Sequence, residues 1–291
     1  MRKLIALCTL TISPILYADI PLTVESLISD KGKFIAEFGI AYGNNKTSNT
    51  KIGGYFPVQI SDTSFVNIPI NIQNERIQNE YLITTFGLKY GVSKDFDINL
   101  RTNLLYTSNQ SLEVSSDQKS KNDIDISDIT VGVNYLFVQD DVYPALVGFL
   151  ETNIFEKNLD TKSNFSSWSL GITTYRSYDP IVLSLTAGYK YSLERKINSI
   201  DNYKPADLFF FTPQIAFAAN DRISLVGGFN FKATSNQKLN SKIFEKKRNS
   251  LDYNFGVGYG LTDKSNLNVI ATLRQDFDNS NEIRLIFNQK F

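Results

Sequence analysis

The sequence contains no histidine, and its 291 residues include one cysteine, one methionine and one tryptophan. Histidine is the usual general base near neutral pH and the commonest metal ligand. Its absence excludes a Ser/His/Asp hydrolase and a histidine-built metal centre. An excess of one charge is also missing, because 30 Lys plus Arg balance 30 Asp plus Glu. That balance argues against a basic footprint for nucleic acid. The acidic, amide-rich stretch Asp117–Asp128 lacks the regular oxygen spacing of a calcium loop and reads as solvated. No enzyme activity, cofactor or metal is expected. What is present is 15 Tyr, 21 Phe and 42% hydrophobic residues, too apolar a composition for a disordered chain.

The first residues read as a secretory signal peptide, residues 1–18. Arg2 and Lys3 form a charged start, Leu4 to Leu16 an apolar stretch, and Ala18 the small residue before the cut. Cleavage there leaves 28 basic against 30 acidic residues, a net charge of −2, and no cysteine. The exported chain therefore has no disulfide to hold it together. Beyond Ala18 no stretch approaches the ~20 apolar residues of a transmembrane helix.

The dominant pattern instead has period two. From Leu251 to Leu261 the odd positions are Leu, Tyr, Phe, Val, Tyr and Leu, while the even ones are Asp, Asn and three glycines. Similar alternation runs through 34–42, 82–90, 96–106, 129–137, 168–178, 181–193, 209–217, 223–233, 267–277 and 283–291. The stretch 146–155 alternates poorly, but its neighbours require a strand there. The total is about twelve strands, most near the ~10 residues that cross a bilayer at a tilt. Pro213 inside one of them reads as a bulge or kink. Short turns near 92–94, 139–141, 179–180, 220–221 and 262–264 alternate with long polar loops near 107–125, 156–165, 194–205 and 235–248. Strands of this length, with short turns at one end and long loops at the other, predict an all-β fold: a transmembrane antiparallel up-and-down barrel over residues 34–291. Soluble sandwiches use strands of ~5–6 residues.

Parity assigns the rest. An even strand number leaves 44–79, with its strand-like runs 51–60 and 64–72, as a long extracellular loop, a hairpin or lid on the outer side. Residues 19–33 form a periplasmic segment before the first strand. A short N-terminal helix capped by Thr23 and ended by Gly32 fits there, acting as a plug or as a tether.

Two motifs carry a family resemblance. The terminal Ile283-x-Leu285-x-Phe287-x-Gln289-x-Phe291 looks like the C-terminal signal by which outer-membrane barrels are recognised for assembly. Phe86-Gly87-Leu88-Lys89-Tyr90-Gly91-Val92-Ser93-Lys94-Asp95 aligns without a gap to Phe255-Gly256-Val257-Gly258-Tyr259-Gly260-Leu261-Thr262-Asp263-Lys264. With the opening Leu22–Leu27 and Asp30–Phe34, this turn resembles the outer-membrane transporters named for the meta-pathway of phenol degradation. That family's barrel fold also includes export channels for bacterial functional amyloid. The resemblance implies a location in the bacterial outer membrane and contact with its lipid. It also implies assembly by the barrel-assembly machinery through Leu285, Phe287 and Phe291, and no catalytic residue.

The inner stripe supplies the candidate pore lining. Glu37, Arg101, Glu151 and Asn134 fall near mid-height as constriction candidates. Lys89, Asp97, Asp128, Lys190, Lys232, Asp252, Arg274 and Arg284 line the wall elsewhere. Opposed charges at a constriction set a transverse field that selects solutes; the same charges can instead pair, as Asp252 and Arg274 are placed to do. The main expectation is a channel for passive passage of small solutes, including aromatic or hydrophobic compounds. The rivals are an export conduit for an amyloid-type polypeptide and a closed structural or adhesive barrel.

Overall fold

The computed structural model describes residues 27–47, 54–70, 77–111, 119–158, 161–197, 201–274 and 281–291. In chain order these form β1 (Phe34–Thr47), β2 (Gly54–Gln59), β3 (Phe65–Ile70), β4 (Ile77–Gly91), β5 (Phe96–Ser111) and β6 (Lys119–Val138). Next come β7 (Ala145–Asn158), β8 (Thr161–Ser163), β9 (Ser167–Tyr178), β10 (Ile181–Ser192), β11 (Arg195–Ile197) and β12 (Asp201–Lys204). The last are β13 (Leu208–Ala218), β14 (Ile223–Thr234), β15 (Gln237–Leu239), β16 (Lys242–Glu245), β17 (Arg248–Thr262), β18 (Ser265–Arg274) and β19 (Asn281–Lys290).

Twelve of these strands pair antiparallel, each with the next, in the order β1, β4, β5, β6, β7, β9, β10, β13, β14, β17, β18, β19. The ring closes where β19 pairs with β1, Leu285 opposite Ile40 and Lys290 opposite Ile35. The Phe291 N–H donates to the Phe34 carbonyl across the same seam. The twelve strands are those read from the alternation. Closure leaves no open sheet edge, which a bilayer requires because it offers backbone groups no other partner.

The side chains are sorted opposite to a soluble core. Asp97, Asn103, Glu151, Lys190, Lys232, Asp252 and Arg274 are buried, while Phe38, Phe86, Leu100, Leu170, Leu225, Val257 and Leu285 face outward and exposed. Rings mark both ends of this apolar wall. Phe34 and Tyr90 lie 4.6 Å apart at the short-turn end, and Tyr42, Trp168 and Tyr191 are exposed toward the long loops. An apolar band between aromatic girdles fits the hydrocarbon and its two interfaces.

Three local departures have identifiable causes. In β7 the inward positions include Val147 and Phe149, both buried, so apolar residues occupy both faces and the alternation blurs. At Pro213 the pairing of β13 with β14 lapses between Phe211–Phe231 and Gln214–Gly228, with the same register on either side. Proline has no N–H to donate, and the result is an interruption of the ladder, not a bulge. In the long loops, β11, β12, β15 and β16 form a small four-stranded sheet above the barrel rim, which the alternation of the spanning strands does not foreshadow.

The largest difference concerns 44–79. Residues 44–47 and 77–79 extend β1 and β4, and the β2–β3 hairpin does not lie as a lid over the rim. It hangs from the long-loop end into the lumen. The strand-like runs are apolar for that reason: Phe56, Val58, Ile60, Val66 and Ile68 bury against Ala41, Tyr81, Ile83 and Leu105 of the inner wall. The signal peptide and residues 19–26 lie outside the described residues. Residues 27–33 contain no helix; they bend at Gly32, whose φ is 76°, a left-handed conformation that glycine adopts without steric cost.

Candidate functional site

The site is the lumen, and two inserted segments define it. From the long-loop end, the hairpin tip is held by several walls at once. Thr63 Oγ1 donates to Glu151 Oε1 (3.1 Å) and Ser64 Oγ to Glu151 Oε2 (2.6 Å). Lys190 Nζ donates to the Phe65 carbonyl (3.1 Å), Gln214 Nε2 to Asp62 Oδ1 (3.3 Å), and Asn67 Nδ2 to Glu156 Oε1 (3.1 Å). Arg284 donates to the Gln59 carbonyl and Arg101 to Ser64 Oγ. Phe65 inserts beside Phe149 and Phe210. Room for those rings comes from Gly171 and Gly188, paired across β9 and β10: a Cβ on Gly188 would collide with the Phe210 ring, and one on Gly171 would lie 2.5 Å from Phe149 Cζ.

From the short-turn end, residues 27–30 enter the lumen. The Ser29 N–H donates to Asp97 Oδ2 (3.0 Å) and Lys89 Nζ donates to the Leu27 carbonyl (3.2 Å). Leu27 itself packs against the Val182–Ala216 cluster on the far side of the ring. The segment therefore crosses the lumen. Between it and the hairpin tip lies a cavity of about 170 Å³.

Of the mid-height residues, Glu37, Arg101 and Glu151 come together. Arg101 Nε is 3.7 Å from Glu37 Oε1, and its Nη1 is 3.7 Å from Glu151 Oε1. They pair instead of opposing one another across an open gap. Asn134 stands lower, donating to Asp97 Oδ1 (2.7 Å). Asp128 accepts from Asn103 Nδ2 (2.8 Å).

A second cluster lies toward the long loops. Lys232 Nζ is 2.6 Å from Asp252 Oδ2, and Arg274 Nε is 3.8 Å from the same oxygen. Arg274 Nη2 and Arg284 Nη2 reach Glu282 at 2.6 and 2.9 Å. Tyr81 donates to Glu282 Oε2 (2.8 Å) and accepts from Arg274 (2.9 Å). The Arg274 guanidinium also lies over the Phe56 ring, 4.7 Å from its centroid, a favourable cation–π contact. This cluster thus grips the hairpin as well as the wall.

Four contributors escaped the sequence pattern. Glu282 falls in the gap between the alternating runs 267–277 and 283–291, though its even number puts it in phase with the inward stripe of β19. Glu156 sits at the end of the poorly alternating strand, where it pairs with Arg195. Thr63 and Ser64 belong to a loop expected to lie outside. Burial raises the Asp62 carboxyl above its ordinary range, with the Glu37 charge adding to this and Arg284 and Gln214 opposing it. Among the described residues no group of three or more Cys, Asp or Glu is arranged to hold a metal.

A closed antiparallel barrel with an apolar, ring-girdled exterior and a polar interior defines the class: an outer-membrane β-barrel protein. No protein-family profile and no curated protein sequence matches the chain. Solved structures do. The COG4313 outer membrane channel from Pseudomonas putida F1 superimposes with a TM-score of 0.63 at 10% identity, covering 90% of this chain and 97% of that one. The translocator domain of autotransporter NalP from Neisseria meningitidis gives 0.56 at 10% identity, covering 92% of each chain. The NanC porin gives 0.51 at 9% identity, covering 87% of this chain and 100% of the other. At such identities the likeness is one of fold.

Proposed function

We propose that this protein is an outer-membrane channel for passive passage of small solutes, its conduit narrowed by the β2–β3 hairpin. Short turns and both strand-ring termini then face the periplasm, and the long loops and the hairpin's attachment face outward. The observation that carries the reading is the lumen itself: a polar shaft that an inserted hairpin occludes through side-chain contacts without filling it. Twelve strands lie between the eight whose interior is filled by side chains and the sixteen that leave an open channel. Two of the similar folds carry the words "channel" and "porin" in their names, which supports the same reading.

An export conduit for an unfolded polypeptide fits less well, because the hairpin and the Leu27–Asp30 segment together leave only a small chamber. An aromatic or hydrophobic solute would need an apolar berth. The aromatic patch on the wall, Phe149 and Phe210, is already occupied by Phe65. The test is conductance in planar bilayers, comparing the full chain with a variant whose residues 54–70 are replaced by a short Gly-Ser linker. A small conductance that rises several-fold on removal of the hairpin is expected. No conductance from either protein, both shown to be folded by their resistance to unfolding in detergent before heating, would favour the closed structural barrel.

A further inference from the structure

The chamber between the hairpin tip and the Leu27 segment has a chemistry of its own. Its wall carries asparagines from six strands, Asn99, Asn134, Asn230, Asn254, Asn268 and Asn288, with Gln59 of the hairpin above. Four of these amides have an oxygen with no hydrogen-bond partner: Gln59 Oε1, Asn99 Oδ1, Asn230 Oδ1 and Asn268 Oδ1. All four residues are at least nine-tenths buried. Buried amides left without partners are costly, and a native interior rarely keeps several side by side.

Charge does not explain the chamber. Glu37, Asp62 and Glu151 are matched by Lys89, Arg101 and Arg284, and these groups already hold each other, the hairpin or the N-terminal segment. An ionic solute gains no uncompensated counter-charge. An aromatic hydrocarbon leaves every amide unmet. A hydroxyl both donates and accepts, so it satisfies an amide whichever way its oxygen and nitrogen are oriented. Leu27, Val226 and Ile270 supply an apolar wall to the same cavity, suited to the C–H face of a ring. Its volume of about 170 Å³ falls below the ~300–1,000 Å³ of sites for drug-sized ligands.

We propose that this amide-lined chamber is a binding site for a small, uncharged, hydroxyl-rich solute of monosaccharide or polyol size. The inference rests on the channel reading only for its role as a station along the conduit; the site stands on its own geometry.

The experiment measures binding of glucose, sorbitol and benzoate to the full, detergent-solubilised protein by saturation-transfer NMR, alongside conductance in bilayers. Glucose and sorbitol give saturation transfer and benzoate does not. Asn230→Leu and Asn268→Leu each weaken polyol binding about three- to tenfold, the share of one buried hydrogen bond. Asn249→Leu, at a position outside the chamber, leaves it unchanged and controls for a general effect on folding. Benzoate binding without polyol binding, or binding of neither, overturns the proposal. So does polyol binding that the Asn230 and Asn268 variants, still folded, leave intact. Conductance without polyol binding overturns this site and leaves the channel standing; polyol binding without conductance does the reverse.

Discussion

The ring of Phe65, at the base of the hairpin tip, lies 4.8 Å from that of Phe210 on β13. This contact joins an inserted segment to one of the few apolar patches on the inner face of the barrel wall. It is an apolar latch inside an aqueous shaft, and it sits where two glycines of the neighbouring strands leave space for rings.

Phe210→Ala therefore acts on the hairpin more than on the barrel. Truncating a fully buried Phe costs about 3–5 kcal/mol, and here the loss falls on docking of residues 54–70. The expected outcome is a larger or more frequently open conductance in bilayers, with thermal unfolding of the barrel in detergent changed much less.

Arg101 reads differently. It stands between Glu37 and Glu151 and donates to Ser64. Arg101→Leu leaves the buried Glu151 and the half-buried Glu37 without their cation. Removing one partner of a buried pair typically costs about 3–5 kcal/mol, and the exposure of Glu37 keeps the loss toward the lower end. Combining it with Glu151→Gln removes one of those charges and recovers part of the loss. Urea unfolding of the single and double variants in vesicles measures the recovery; equal stability of the two would contradict the pairing.

Acid should close the channel through Asp62. Its carboxyl is raised in the docked hairpin, chiefly by burial, so docking binds protons more tightly than the free hairpin does. Docking is strongest below the ordinary carboxylate value near 3.9 and loses this contribution as pH rises through the raised value. Conductance should accordingly fall on acidification, and Asp62→Asn should flatten that dependence. No histidine contributes to such a step, since the chain has none.

Phe291 lies exposed beside the closing seam, its N–H bonded to Phe34. Its removal leaves eleven of the twelve strand pairings untouched. If Leu285, Phe287 and Phe291 form the assembly signal, deleting Phe291 lowers the amount of protein in the outer membrane several-fold. Refolding of the same variant into detergent in vitro then proceeds normally. Equal loss in both settings would make the residue structural.

Much of this was legible in the chain. A period of two sustained over runs near ten residues, in a sequence without disulfides, has one economical solution in a bilayer: a closed ring of strands with apolar residues outward. The alternation therefore determined the twelve strands and which side chains face the lumen, but it cut several of them short at the long-loop end. β6 begins at Lys119, ten residues before the run 129–137, and β5 runs on to Ser111, inside the loop expected near 107–125. It placed Asp252 opposite Arg274, because neighbouring strands pair residue by residue.

Tertiary structure decided what fills the ring. Alternation says that a hairpin at 51–72 has an apolar face, but not which surface covers it. The cover is the patch of Ala41, Tyr81, Ile83 and Leu105 on the neighbouring strands β1, β4 and β5, and the hairpin meets it only by folding back into the lumen. The Glu37–Arg101–Glu151 group spans strands that are not neighbours, and a long guanidinium stem bridges them through the interior. The missing histidine was visible from the start and limited the chemistry to carboxylates, Lys and Arg. Which of those charges pair, and which amides remain without partners beneath the hairpin, depends on closure of the ring, since only closure brings opposite walls within hydrogen-bonding distance.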